Sequence, residues 1–492
     1  MYKPSLEESK KIAAEGDYKN IPVSCEIYGD TCTPVEILKK LRRVSGSCYL
    51  LESNEDVRGR GRYTFLGYEP SLELTCTGGH MQIKGPEGIQ SFQTKQPAAY
   101  ISQIIRENSS PRLPYLPAFT GGLVGYFSYD YIQYSEPSLK LGASDDERFK
   151  DVDLMLFHKV IIFDHLRHKV LLVANAGTES LERNYEQALN DLSKMRDLIR
   201  QGKPIEEEPP VLLSPMKALF SRETYRQMVE RAKEHIRQGD IFQVVLSNRF
   251  EAEMKGSLMN VYRVMRTINP APYMFFFSSD HIEMAGASPE TLVKLEGNRV
   301  STFPLAGTRP RGKTVEEDQT LEQELLADEK ELAEHNMLVD LGRNDLGKIS
   351  RFGTLKVDKY LEIEKFSHVM HIGSAVHGEL SEGMQAMDAI HAVLPAGTLS
   401  GAPKIRACQI IHELEENKRG VYGGAIGYLA LNGDMDTCIA IRLAFKKNGK
   451  VFVRSGAGIV ADSVPEKEYQ ECLNKARAVL EALEASKERL ES

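Results

Sequence analysis

Hydrophobic and polar positions along this 492-residue chain follow two different periods. Short runs that alternate or are rich in β-branched residues predict strands: SCYLLES from Ser47, LELTCTG from Leu72, GGLVGYFSYD from Gly121, KVIIFDH from Lys159 and KVLLVAN from Lys169. A second set follows, with GDIFQVVLSNRF from Gly239, TLVKLEG from Thr291, GAIGYLALNG from Gly424 and the long DTCIAIRLAFKKNGKVFVRSGAGIV from Asp436. Between them, apolar residues recurring every three to four positions predict helices over 181–201, 222–238, 320–341 and 465–490. Strands grouped as hairpins with long helices between the groups indicate an α+β fold, not a doubly wound parallel sheet.

One segment breaks both periods. QGKPIEEEPPVLLSP, from Gln201, sets four prolines around an acidic triplet directly after a helical pattern. It divides the chain into an N-terminal region at 1–205, a linker at 206–216 and a C-terminal region at 217–492. A second Pro/Ser-rich stretch, ENSSPRLPYLPAFTGG from Glu107, reads as a loop inside the N-terminal region. Composition narrows the partners. A formal charge of -8 argues against nucleic acid or an anionic membrane surface, which reward clustered Lys and Arg. The greasiest run, YMFFF at Tyr273, is far too short to span a bilayer, and the first twenty residues hold no apolar core of signal-peptide length. Seven cysteines at scattered positions, with no Cys-x-x-Cys pair, read as reduced thiols in a cytoplasmic protein.

Candidate chemistry begins with PLAGTRPRGKT, Pro304 to Thr314, which fits the phosphate-loop pattern G-x-x-x-x-G-K-[ST]. Its context is poor: Pro310 removes an N–H, and the following helix opens with Glu316, Glu317 and Asp318, which would repel phosphate. A better use is Gly307 and Thr308 approaching a carboxylate ligand, with Arg309 or Arg311 nearby. Glu331 and Glu334 share one helix face, as do Glu468 and Glu471. Either pair alone is an ordinary solvated face; two facing helices could instead give oxygen ligands to a hard cation such as Mg²⁺. The glycine-rich segments LPAGTLSGAPK, from Leu394, and RSGAGIV, from Arg454, suit a backbone lining a small anion or ordinary turns. His368 and His371 could form a helical metal pair or be buried and hydrogen-bonded, and one could serve as a base.

Taken in order, GDIFQVVLS, NPAPYMFFF, ASPETLV, PLAGTRPRG, EHNMLVDLGRNDLG, VMHIGSAVHGEL, PAGTLSGAPK, YGGAIGYL, IAIRLAF and RSGAGIVADSVPEKEYQE resemble the chorismate-utilising enzymes. The resemblance runs from about residue 220 to 480, and YLLES with GRYTFLGYEP carries it into the N-terminal half. It is strongest to the anthranilate-forming branch, the large synthase subunits. It implies antiparallel sheets packed as a sandwich with helices outside, and a lyase that aminates chorismate at C2 and expels pyruvate in the first step of tryptophan biosynthesis. By that resemblance Mg²⁺ lies on Glu334 and Glu471, with Glu331 and Glu468 reaching it through water. Gly307, Thr308, Thr398, Tyr422, Arg442 and the backbone of Gly456, Ala457 and Gly458 would hold chorismate. Glu290 is implied as the acid that protonates the departing C4 hydroxyl, which requires a raised pKa. His371 is implied as the base that takes the C2 proton.

Two positions separate the branches. Isochorismate-forming members typically carry a water-activating lysine where this chain has Gln243. Aminodeoxychorismate synthases typically read P-I-K-G-T, with a nucleophilic lysine, where this chain has Ala306. Both departures point to direct ammonia addition, with aminodeoxychorismate synthesis the alternative. The resemblance also implies an L-tryptophan feedback site at Leu51, Glu52, Ser53, Pro272, Tyr273 and Met274, in the N-terminal region and the NPAPYM segment. No cysteine lies in a G-x-C-x-G glutaminase setting, so ammonia is expected from solution or from a glutamine amidotransferase subunit in a heterotetramer or larger assembly. A nucleotide-dependent switch and a non-catalytic tryptophan-sensing protein are the readings outside the family.

Overall fold

In a computed structural model the chain is described at residues 2–53, 60–139, 142–365 and 369–487. Among these residues the strands form two large sheets, one of fourteen strands and one of twelve, and every pairing within them is antiparallel. The first sheet runs from the Asn20–Tyr28 strand through Tyr63–Tyr68 and Cys48–Glu52, then continues across Tyr273–Ser278, Glu283–Ser288, Leu443–Lys447, Lys450–Ile459 and Gln243–Lys255. The second runs from Leu305–Pro310 and Val369–Glu379 through Thr291–Glu296, Met435–Ile439 and Ala425–Ala430 to Gly122–Phe127 and Val152–Phe157.

Both sheets cross the expected boundary at 206–216. Phe275 pairs with Leu51 in the first, and Gly427 pairs with Gly125 in the second. Each sheet is thus a block of strands from before the linker joined edge to edge to a block from after it, and the connection between them lays short strands on Gln243–Lys255.

The sheets face each other over an aromatic layer. Tyr49, Phe275, Phe277, Phe445 and Phe452 of the first meet Val124, Tyr126, Met155, Phe157 and Tyr428 of the second. Helices cover the outer faces. Pro34–Val44, Leu181–Gln201, Met259–Ile268 and Pro465–Ala485 bury their apolar stripes on the first sheet; Pro97–Glu107, Glu329–Gly347 and Ala386–Val393 do so on the second. This is the expected α+β sandwich with helices outside. No helix among the described residues is long and apolar enough to cross a membrane.

One predicted helix divides. The pattern over 320–341 forms two helices, Val315–Ala327 and Glu329–Gly347, separated at Asp328. Asp328 leaves helical dihedrals and its carboxylate accepts from the N–H groups of Lys330 at 3.1 Å and Glu331 at 3.2 Å, capping the second helix. That break aims the second helix independently of the first.

Candidate active site

A cavity of about 560 Å³ takes its walls from both sheets and from the helices Glu329–Gly347 and Pro465–Ala485. Glu331 and Glu334 enter from the first helix, Glu468 and Glu471 from the second, so the two separate carboxylate pairs do share one space. Burial raises the pKa of Glu331, with the Glu334 charge adding to it, and burial raises that of Glu468, with Glu471 adding. Lys475 offsets part of this charge through a 2.6 Å ion pair with Glu471. Among the described residues no three His, Cys, Asp or Glu side chains converge as a ready-made metal site. Two carboxylate pairs on one cavity, the members of each pair repelling one another, nonetheless fit a hard cation whose remaining ligands are substrate oxygens and water.

Glu290 lies in the turn between the strands Glu283–Ser288 and Thr291–Glu296 and lines the same cavity. Burial pushes its carboxyl up to about 8, opposed by a hydrogen bond donated by the Thr398 hydroxyl at 3.2 Å. The group is therefore mostly protonated at neutral pH, as a general acid must be.

His371 sits on the extended strand Val369–Glu379, not on the helix expected of a His368/His371 metal pair. His368 lies outside the described residues. The His371 imidazole Nδ1 is 2.7 Å from the carbonyl of Gly307 and 3.1 Å from Thr308 Oγ1, which fixes the ring at the cavity wall. Burial holds its pKa below the ordinary value, the Gly307 carbonyl opposing and the Arg442 charge adding.

Arg442 is partly buried, faces the cavity beside Tyr422, and has no carboxylate partner among the described residues. A desolvated guanidinium without a counter-ion is a strong seat for a ligand carboxylate. Gly456 and Gly458 line the cavity as well, and a Cβ at Gly458 would come within 2.5 Å of Gln243 Nε2. Ala457, expected to contribute its backbone, is not among the lining residues. The strand's alternation turns its side chain away from the cavity, into a core with Tyr225, Met228 and Cys408. Gln243 and Ala306 both reach the cavity, with Gln243 Nε2 3.5 Å from Glu334 Oε1.

The chorismate binding enzyme family matches residues 46–481 of this chain. The chain belongs to that family. Its relatives include the anthranilate synthase component 1 of Acetivibrio thermocellus, 44% identical over 99% of this chain and 100% of that one. The same-named protein of Aquifex aeolicus is 43% identical over 98% of each. Among solved structures, anthranilate synthase component I from Streptococcus pneumoniae superposes with a TM-score of 0.73 at 39% identity, covering 87% of this chain and 93% of that one. The menaquinone-specific isochorismate synthase of Escherichia coli shares the fold, with a TM-score of 0.69 at 19% identity over 97% of this chain and 98% of that one.

In this family member the phosphate-loop letters have another use. The N–H of Gly312 donates to Asp318 at 2.9 Å and that of Lys313 to Glu317 at 2.8 Å, so the acidic residues opening the helix fill the anion seat themselves. Arg309 and Arg311, expected near a ligand, are instead drawn to Asp328 and Asp318. Neither lines the cavity.

Several cavity residues escaped the sequence reading: Lys330, Lys475, Arg454, Ser455 and Ser463. Lys475 was within reach, one helical turn beyond Glu471. Arg454 was not, because its role depends on Glu415. That carboxylate, fully buried, accepts from Arg419 Nε at 2.9 Å, from Arg454 at 2.6 Å and from the Ser247 N–H at 2.8 Å. Arg419 in turn donates to the carbonyls of Val245 and Leu399 at 2.6 Å, tying down two segments of the cavity wall.

A second cavity of about 550 Å³ opens at the seam where Cys48–Glu52 meets Tyr273–Ser278. Leu51, Glu52, Ser53, Pro272, Tyr273 and Met274 all line it. Tyr428, Lys294 and Asp436 complete the wall from the second sheet, and Glu52 is held by Arg266 and the Tyr262 hydroxyl.

Proposed function

We propose that this chain is the chorismate-converting component of an anthranilate synthase, working in the cytoplasm at the first step of tryptophan biosynthesis. The observation that carries the reading is the cavity itself. A buried carboxyl raised to about 8 and a histidine held neutral share it with a partly buried arginine that has no carboxylate partner among the described residues, in a chain similar end to end to proteins named anthranilate synthase component 1.

Chorismate carries two carboxylates, and Arg442 with Thr308, Tyr422 and the backbone of Gly456 and Gly458 is placed to receive one of them. Protonated Glu290 gives its proton to the C4 hydroxyl, which leaves as water while ammonia bonds to C2. Neutral His371 then takes the proton from C2. The C3–oxygen bond breaks, the ring becomes aromatic, and the expelled enolpyruvate takes up a proton as pyruvate. Chorismate and ammonia thus balance anthranilate, pyruvate and water. Gln243 cannot activate water as a lysine would, and Ala306 offers no nucleophile, which favours ammonia over the alternative aminodeoxychorismate chemistry. Glu331, Glu334, Glu468 and Glu471 would hold Mg²⁺, which when bound supplies Lewis-acid neutralisation and orientation of a carboxylate.

Ammonia is proposed to come from a glutamine amidotransferase partner, the component 2 that the relatives' name implies, in a heterotetramer. The second cavity is proposed to bind L-tryptophan as a feedback inhibitor, the Tyr273, Phe65 and Tyr428 rings offering an aromatic wall and Glu52 and Asp436 a seat for the ammonium.

Anthranilate fluorescence from the purified chain with chorismate, Mg²⁺ and ammonium tests the reading, with EDTA and tryptophan as separate additions. A signal abolished by EDTA and lowered by tryptophan is expected. Chorismate consumed with isochorismate or aminodeoxychorismate as product would overturn the assignment.

A further inference from the structure

The second cavity and the candidate acid share a wall. Tyr273 lines the second cavity, and strand pairing sets it opposite Ser288, two residues before Glu290. The Ser288 hydroxyl donates to the carbonyl of Ile439 at 2.6 Å, and the Ile439 N–H donates to the Glu290 carbonyl at 3.0 Å, so the turn is clamped to the strand Met435–Ile439. On the other side of Glu290, Thr291 Oγ1 lies 2.8 Å from the Tyr273 hydroxyl, which also lies 2.8 Å from Asp436 Oδ1. A carboxylate only accepts, so the tyrosine proton goes to Asp436 and Thr291 donates to Tyr273. Tyr273 therefore grips the residues on both sides of Glu290 while it and Asp436 face the other cavity.

We propose that Tyr273 and Thr291 form a positioning couple for Glu290, through which a ligand in the second cavity is felt at the acid. The couple has two arrangements. An amino-acid ammonium seated on Asp436 displaces the tyrosine proton from that carboxylate; the proton turns to Thr291, and the bridge reverses direction beside Glu290. The inference rests on reading the second cavity as a tryptophan site. It adds which bond carries the message, and linkage then requires chorismate and tryptophan to weaken each other equally through that bond.

The test uses Thr291→Val, which removes the hydroxyl at nearly constant volume, and Thr291→Ser, which keeps it. The chain contains no tryptophan (Trp 0), so the anisotropy of the ligand's own indole reports binding directly. Tryptophan affinity is measured with Mg²⁺, with and without chorismate, in the absence of any ammonia source so that nothing turns over. Chorismate is expected to weaken tryptophan at least about fivefold in the parent chain, while Thr291→Val binds tryptophan but shifts less than about twofold and Thr291→Ser regains the parent shift. Should Thr291→Val not fold, Tyr273→Phe cuts the same bridge from its other end. A parent chain that binds no tryptophan, or shows no antagonism, overturns the regulatory reading and the couple with it. Undiminished antagonism in Thr291→Val, or loss of tryptophan binding there, overturns the couple alone.

Discussion

His371 and Gly307 meet through a 2.7 Å contact between the imidazole Nδ1 and a backbone carbonyl. A carbonyl can only accept, so Nδ1 carries the ring's proton and Nε2 holds the lone pair. Burial keeps that neutral form present below the ordinary value of 6.5. The carbonyl points this way because Gly307 has a φ of 68°, a region that side chains disfavour, and a Cβ there would lie 3.0 Å from Leu325 Cδ1 and 3.2 Å from Glu331 Oε2.

Gly307→Ala is therefore expected to swing the carbonyl off His371. A strain of about 1–2 kcal/mol follows from the left-handed backbone alone. Anthranilate formation should fall at least tenfold while thermal unfolding shifts by only a few degrees; unchanged turnover would separate the carbonyl from the base's function.

For His371→Ala, the expectation is a halt after amination. Loss of a general base costs about 10²–10⁴-fold. Chromatography should show chorismate consumed and an amino intermediate accumulating without anthranilate, whereas normal anthranilate yield would remove His371 from the role of base.

Glu290 makes a two-sided prediction. Its folded pKa of about 8 stands above the ordinary 4.5, so the stability it contributes is full below pH 4.5 and is lost as pH rises through 8. At ~1.4 kcal/mol per unit the loss by pH 7 approaches roughly 3 kcal/mol. Glu290→Gln should then unfold at a higher temperature than the parent at pH 7, show little difference at pH 4, and be nearly inactive. In the parent, kcat/KM for chorismate should decline above about pH 8, where the acid gives up its proton. A variant that keeps activity, or gains no stability at pH 7, contradicts this account.

Removing the cation should be reversible. EDTA is expected to abolish anthranilate formation and Mg²⁺ to restore it, and Glu334→Gln or Glu471→Gln should raise the Mg²⁺ concentration for half-activity at least about tenfold, since a hard cation depends on its carboxylates. Full activity in EDTA would dismiss the metal.

The triad under the cavity predicts a stability effect. Glu415→Ala strands Arg419 and Arg454 as like charges in a dry core, and breaking such a pair costs about 3–5 kcal/mol. Denaturant titration should show that loss; a change below about 1 kcal/mol would mean that water enters the site.

Patterns with short range were legible in the sequence. The continuous apolar run in KVLLVAN, a strand buried on both faces, and the helical period after Pro465 both specify local backbone, the second because a spacing of 3.6 residues decides which face is buried. The division of the 320–341 pattern was less so, since apolar spacing continues across Asp328 and only the carboxylate's capping bonds show that the helix restarts there.

Ordered motifs located the cavity-facing residues because each lies within a few positions of its neighbours along one element. Glu331 and Glu334 were a pair before they were a site, and so were Glu468 and Glu471. What tertiary structure decided was every relationship across the chain. It brought two helices more than a hundred residues apart to one cavity, turned Ala457 away while its flanking glycines face in, and drew Arg309 and Arg311 to aspartates. It also set Tyr273 against Thr291, which no local pattern connects. The sequence by itself determined which groups were present and which face of each element they share, because those depend on bond geometry over a few residues. Only packing decided which of those groups meet, and how much water they lose in meeting, and the proton held by Glu290 depends on that loss.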